Sequence, residues 1–221
     1  MKILLKKISQ ELISSEFGLV FMLIGITIQL IASILNNDST LSLISGISGV
    51  VSVVLCSQKK FSFYVFAWIQ MITYAYLAYE QHLYGELTEY AFYAITTIYG
   101  MVVWFKYYNM RTGTVLTESL SKKNLFHTCV MTLAFIWVVY DILKVTNDSQ
   151  PLLDSITTVP AFTAQILMVL RYKEQWLFWL IIDVASIVMW INAGNWCMAA
   201  QFVFWTANCI YGYNMWKKDS E

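Results

Sequence analysis

The sequence predicts an all-α polytopic membrane protein with eight spans: two parallel three-helix bundles joined by a linker helix, plus one extra N-terminal span. Three observations predict it. Of 221 residues, 58% are hydrophobic and 13% charged, where soluble domains carry about 25% charged residues, and the apolar residues come in bilayer-sized blocks of about twenty. When eight such blocks are threaded through a membrane, 13 of the 14 Lys and Arg residues fall on one side, as the positive-inside rule requires. A closing motif also recurs, Tyr99-Gly100 in the first half and Tyr211-Gly212 in the second, the mark of an internal repeat. Eight spans leave only short connections and no room for a soluble domain. Two Pro and nine Gly exclude a collagen-like chain, and zero net charge offers no basic surface for nucleic acid.

Taken in order, residues 1–16 place Leu5, Ile8 and Leu12 on one stripe, away from Lys2, Lys6 and Glu16, which suits a helix lying on the membrane surface. The first block, 17–35, has 16 residues before it and no small-x-small cleavage site after it, so a retained span is expected rather than a secretory signal. Further spans are expected at 41–57, 61–79, 88–107, 125–143, 152–170, 176–191 and 196–216. This divides the chain into 1–40 (surface helix and extra span), 41–108 (first bundle), 109–150 (cytoplasmic loop and linker span) and 151–221 (second bundle).

Charge placement sets the orientation. With the N-terminus cytoplasmic, the inner segments hold Lys2, Lys6, Lys7, Lys59, Lys60, Lys106, Arg111, Lys122, Lys123, Arg171, Lys173, Lys217 and Lys218, and only Lys144 falls outside. Both termini are then cytoplasmic. Tyr99-Gly100 with Trp104 and Lys106 closes the fourth span, and Tyr211-Gly212 with Trp216 and Lys217 closes the eighth. Spans 2–4 and 6–8 each start outside and end inside, so they can be parallel repeats, with span 5 restoring the orientation. Parallel repeats are a transporter architecture, with a midplane site expected between them.

Polar residues inside the spans mark candidate chemistry. Glu89, Tyr93, Thr96 and Gly100 line one face of the fourth span; Gln201, Trp205, Asn208 and Gly212 have the same spacing in the eighth. Such stripes read as cavity lining, while Thr, Asn and Gln singly also serve as interhelical glue. Trp176, Trp179, Asp183, Ser186 and Trp190 share a face of the seventh span. A mid-bilayer Asp costs about 2.5–3.5 kcal/mol, so Asp183 calls for a partner or a wet cavity, or else fixes helix register. Trp with Asp suits a flat cation. In the third span Trp68, Gln70 and Tyr74 are candidates; the Gln70 amide bonds either a neighbouring helix or a ligand amide or hydroxyl. Pro160 is expected to kink or break the sixth span near Thr157, Thr158, Thr163 and Gln165. Ser42, Ser45, Gly49 and Ser52 offer a close-packing face for either the bundle or a second copy of the chain.

Other chemistries find no support. Cys56, Cys129, Cys197 and Cys209 lack ligand spacing and read as core residues. No HExxH, GxSxG or Walker-type loop occurs, so neither an enzyme nor an ATP-driven pump is expected, and no metal or cofactor.

Gln81-His82-Leu83-Tyr84-Gly85-Glu86, the two YG-Trp-Lys closures and Trp176-Leu177-Phe178-Trp179 resemble the PnuC transporters of vitamin precursors. The resemblance covers about residues 41–218. It implies a fold similar to SWEET sugar transporters, nicotinamide riboside as substrate, passive transport, and trapping by cytoplasmic phosphorylation. It places the WxxW element on Trp176 and Trp179 and polar cavity positions on Gln70, Glu89, Asp183, Gln201 and Asn208. The expected partners are this small molecule, the lipid bilayer and a further copy of the chain. Thiamine, another flat cation carried by relatives, and a non-transporting ligand sensor are the alternatives.

Overall fold

The computed structural model describes residues 16–80, 84–145, 151–192, 194 and 196–217. The expected surface helix at 1–16 therefore lies almost entirely outside the described residues, as do Gln81, His82 and Leu83 of the family-like motif. Eight helices are described: α1 Glu16–Asn36, α2 Thr40–Ser57, α3 Phe63–Glu80, α4 Tyr84–Lys106, α5 Lys122–Val145, α6 Pro151–Val169, α7 Gln175–Asn192 and α8 Trp196–Lys217. All eight overlap the blocks expected from hydropathy. Five of them, α1, α2, α5, α6 and α7, are long and apolar enough to cross a membrane by length and composition alone. The other three, α3, α4 and α8, carry Gln70, Glu89, Gln201, Asn208 and many Tyr and Trp residues, which lower their hydropathy without shortening them.

The chain forms two compact units, Met1–Leu116 and Thr117–Glu221. In unit one, α1 packs on α2, α2 on α3 and α3 on α4; in unit two, α5 packs on α6, α6 on α7 and α7 on α8. The extra first helix and the linker helix thus each join a three-helix set. Thr132 and Thr163 share a hydroxyl hydrogen bond of 3.1 Å where α5 meets α6, while Phe126, Leu133 and Trp137 stay exposed on α5, as lipid-facing side chains do. The small-residue face of α2 is spent inside the chain, with Ser45, Gly49 and Ser52 buried. Pro160 does not break α6, which runs through it.

Both units repeat the same turn. Lys59 ends α2 at φ 61° and Arg171 ends α6 at φ 68°, each in the left-handed conformation that costs a non-glycine residue roughly 1–2 kcal/mol. The register that pairs Tyr99 with Tyr211 also pairs Lys59 with Arg171. Lys59 N–H donates to Cys56 O and Lys60 N–H to Leu55 O; Arg171 N–H donates to Met168 O and Tyr172 N–H to Leu167 O. These are the paired bonds of a Schellman cap, which satisfy the last carbonyls of the helix. The helix that follows starts in the same register, Phe63 N–H on Lys60 O and Gln175 N–H on Tyr172 O. The connection between α4 and α5 begins with a short hairpin, Tyr108 opposite Val115 and Asn109 opposite Thr114. Val115 N–H then donates to Lys59 O in unit one, and Glu118 N–H to Arg171 O in unit two, both at 2.9 Å.

Candidate functional site

In unit one the candidate residues lie on α3 and α4. Trp68 Nε1–H donates to Met101 Sδ at 3.4 Å, tying α3 to α4. Tyr74 stacks on Tyr90, centroids 4.4 Å apart and 14° from parallel, and Tyr90 meets Tyr93 edge-on at 5.8 Å. The Tyr93 hydroxyl donates to Glu89 Oε1. Tyr74, Tyr93 and Glu89 therefore belong to one aromatic ladder that ends in a carboxylate, with Tyr90 as the rung that sequence spacing alone did not single out. Gln70 points the other way, its amide lying against Gly49 of α2.

In unit two the residues lie on α7 and α8. Asp183 is 4% exposed, and Cys209 Sγ–H donates to its Oδ2 at 3.1 Å. A thiol is a weak donor. Among the described residues it is the hydrogen-bond partner found for this carboxyl group. Asn208, next to Cys209 on α8, is buried, as are Gln201 and Ser186. Trp205 is half-buried and meets Phe202 edge-on at 4.9 Å. Cys209 was not legible as part of this cluster: its spacing matches no ligand pattern, and only the rotation of α8 against α7 turns its thiol to Asp183.

The two tryptophans of the WxxW element take different surroundings. Trp176 is buried edge-on against Trp216, 5.8 Å between centroids and 88° between planes, and it lies over Gly212, where a Cβ would stand 2.5 Å from the indole. Trp179 is partly buried and packs on the cluster of Ala164, Leu167 and Phe178. Unit one has the counterpart of the first contact: Tyr64, which the repeat register pairs with Trp176, meets Trp104 at 5.5 Å and 79°. Trp104 and Trp216, the tryptophans of the two closing motifs, are both fully buried. The recurrent motif therefore marks a packing joint at the end of each helical set. None of the groups of His, Cys, Asp and Glu among the described residues could hold a metal ion.

Comparison with known proteins places this architecture. The sequence model of the nicotinamide mononucleotide transporter family matches residues 39–218, more than four fifths of the chain. The chain belongs to this family. Members similar to it include the nicotinamide riboside transporter PnuC of Haemophilus influenzae, 32% identical over 217 residues, which cover 96% of this chain and 95% of that one. The PnuC of Neisseria mucosa is 28% identical over 215 residues, covering 92% and 82%. A crystal structure of the vitamin B3 transporter PnuC superposes with a TM-score of 0.79 at 28% identity, covering 95% of both chains. As a family member the chain is a multi-pass membrane transporter and not an enzyme. Every candidate residue described above lies within the family's matched region, whereas α1 precedes it.

Proposed function

We propose that the chain takes up nicotinamide riboside across a bacterial cytoplasmic membrane by facilitated diffusion, and that phosphorylation of the nucleoside inside the cell traps it. Asp183 carries the reading. A carboxyl group buried in an apolar helix with a thiol for a donor is poorly compensated, and a cationic, hydroxyl-rich ligand compensates it. Nicotinamide riboside brings a pyridinium ring for tryptophan or tyrosine faces, ribose hydroxyls for carboxyl groups, and a carboxamide for glutamine or asparagine. The family membership and the names of the relatives support the same substrate.

In this reading all eight helices cross the membrane, α1 as the extra span, with both termini cytoplasmic; α2–α4 and α6–α8 act as parallel repeats. The residues proposed to serve the substrate are Trp68, Gln70, Tyr74, Glu89 and Tyr93 from unit one, with Trp176, Trp179, Asp183, Gln201, Trp205 and Asn208 from unit two.

Purified protein in lipid vesicles should accelerate entry of labelled nicotinamide riboside over empty vesicles, without an ion gradient or ATP. Binding without uptake would instead indicate a sensor. Asp183→Asn, Gln70→Ala or Trp179→Ala should each weaken binding at least tenfold, about 1.4 kcal/mol, and unchanged affinity in all three would remove the site. Displacement of nicotinamide riboside by equimolar thiamine would move the substrate assignment to that cation.

A further inference from the structure

We infer that Gly49 is a specificity-determining position: by carrying no side chain it lets the Gln70 carboxamide settle onto α2, and so fixes the direction in which that amide meets a ligand. The inference rests on the reading above that Gln70 contacts the substrate.

A Cβ added to Gly49 would stand 2.9 Å from Gln70 Nε2, 3.1 Å from Cδ and 3.4 Å from Oε1. The first distance is closer than a methyl carbon and an amide nitrogen approach in van der Waals contact, so the amide lies on bare backbone. Gln70 is nevertheless only half-buried. One edge of its carboxamide is set by α2 while the rest is left for another partner.

α2 has little freedom to yield. One turn earlier, Gly46 receives the Gln29 amide of α1 in the same manner, and Gln29 is itself buried. Two glutamines from two neighbouring helices therefore seat on adjoining faces of one glycine-bearing turn. A methyl group at position 49 is accommodated by the flexible Gln70 side chain rather than by a shift of α2. The fold survives; the amide turns.

Unit two shows that the notch accompanies the amide. The repeat register pairs Gly49 with Ala161 and Gln70 with Ile182, and both of these partners are buried and apolar. Where no carboxamide needs seating, the methyl group is present. A carboxamide has one acceptor and two donors in a fixed plane, so reorienting it penalises a ligand that pairs with both more than one that lacks the complementary group.

The test compares binding of nicotinamide riboside and of pyridine riboside, the same cation without its carboxamide, to the purified full-length protein. Gly49→Ala should weaken nicotinamide riboside at least tenfold and leave pyridine riboside within about twofold. Gln70→Asn, one methylene shorter, should recover part of the loss in the Gly49→Ala background. Equal weakening of both ligands, or no weakening of either while Gln70→Ala does weaken nicotinamide riboside, overturns the role of Gly49 and leaves the substrate reading intact. An unchanged affinity in Gln70→Ala removes Gln70 from the substrate contacts, and the role of Gly49 with it. Should Gly49→Ala fail to fold, recovery of the fold by Gln70→Asn confirms the contact, and continued misfolding overturns it.

Discussion

In unit two α7 carries Asp183, held by the Cys209 thiol of α8. At the corresponding positions of unit one stand Met71 and Thr97, both buried. Conversely, α3 and α4 of unit one carry the Tyr74, Tyr90, Tyr93 and Glu89 ladder, while the repeat register sets Ser186, Phe202 and Trp205 opposite its three tyrosines. Backbone and joints coincide: the left-handed caps at Lys59 and Arg171, and the edge-on pairs Tyr64 with Trp104 and Trp176 with Trp216. Selection on a repeat transporter thus separates two jobs. Residues that close the helical sets stay matched, because each must solve the same packing problem; the residues proposed to meet the substrate differ between the units, as an asymmetric ligand that presents different groups to each would require.

The matched joints should show the largest effects. Trp104→Ala and Trp216→Ala each remove a fully buried indole, a loss of about 3–5 kcal/mol, read as thermal unfolding of the purified protein in detergent. Similar losses sharpen the equivalence of the two joints. If one variant is destabilised while the other unfolds like wild type, only one tryptophan holds its helices and the repeat is a sequence relic there.

These joints also show what the sequence could disclose. The YG-Trp-Lys closures were legible because motif residues recur by type, and span positions were legible because apolar blocks are insensitive to detail. Asp183 was legible because a carboxyl group inside an apolar block is conspicuous. The caps were not: Lys59 and Arg171 adopt a glycine-like conformation without glycine, so local propensity points away from it. Nor could spacing reveal that Trp176 and Trp179 face different neighbours, or that the Gln70 amide packs on Gly49 of α2. Those facts depend on helix rotation, which side-chain volume decides.

A middle-sized effect is expected at Gly212. A Cβ there would meet the Trp176 indole at 2.5 Å, and overpacking of this kind costs about 1–3 kcal/mol. Gly212→Ala should lower thermal stability by that amount, and Trp176→Tyr, which installs the unit-one residue type, should restore part of it in the double variant. Additive losses in the double-mutant cycle would show that residues 176 and 212 are not coupled.

The smallest contrast lies in the turns, where matched backbones carry unmatched side chains. Ser62 and Glu174 occupy the same place in the two repeats and are both buried. Glu174 accepts from Ser119 Oγ and from Leu120 N–H, each at 3.0 Å, fastening the last residues before α5 to the α6–α7 turn. The Ser62 hydroxyl, in the corresponding turn, is buried without a hydrogen-bond partner among the described residues. Glu174→Gln keeps one acceptor but presents an amide donor where a second acceptor stood, so a loss of about 1–2 kcal/mol is expected. Ser62→Ala deletes an unsatisfied hydroxyl and should be neutral or stabilising by up to about 1 kcal/mol. Opposite signs in thermal unfolding would establish that the side chain at this turn position fastens the shared backbone cap in unit two and does not do so in unit one. A Ser62→Ala loss as large as that of Glu174→Gln would give unit one a fastening of its own and reduce the difference between the turns to residue type.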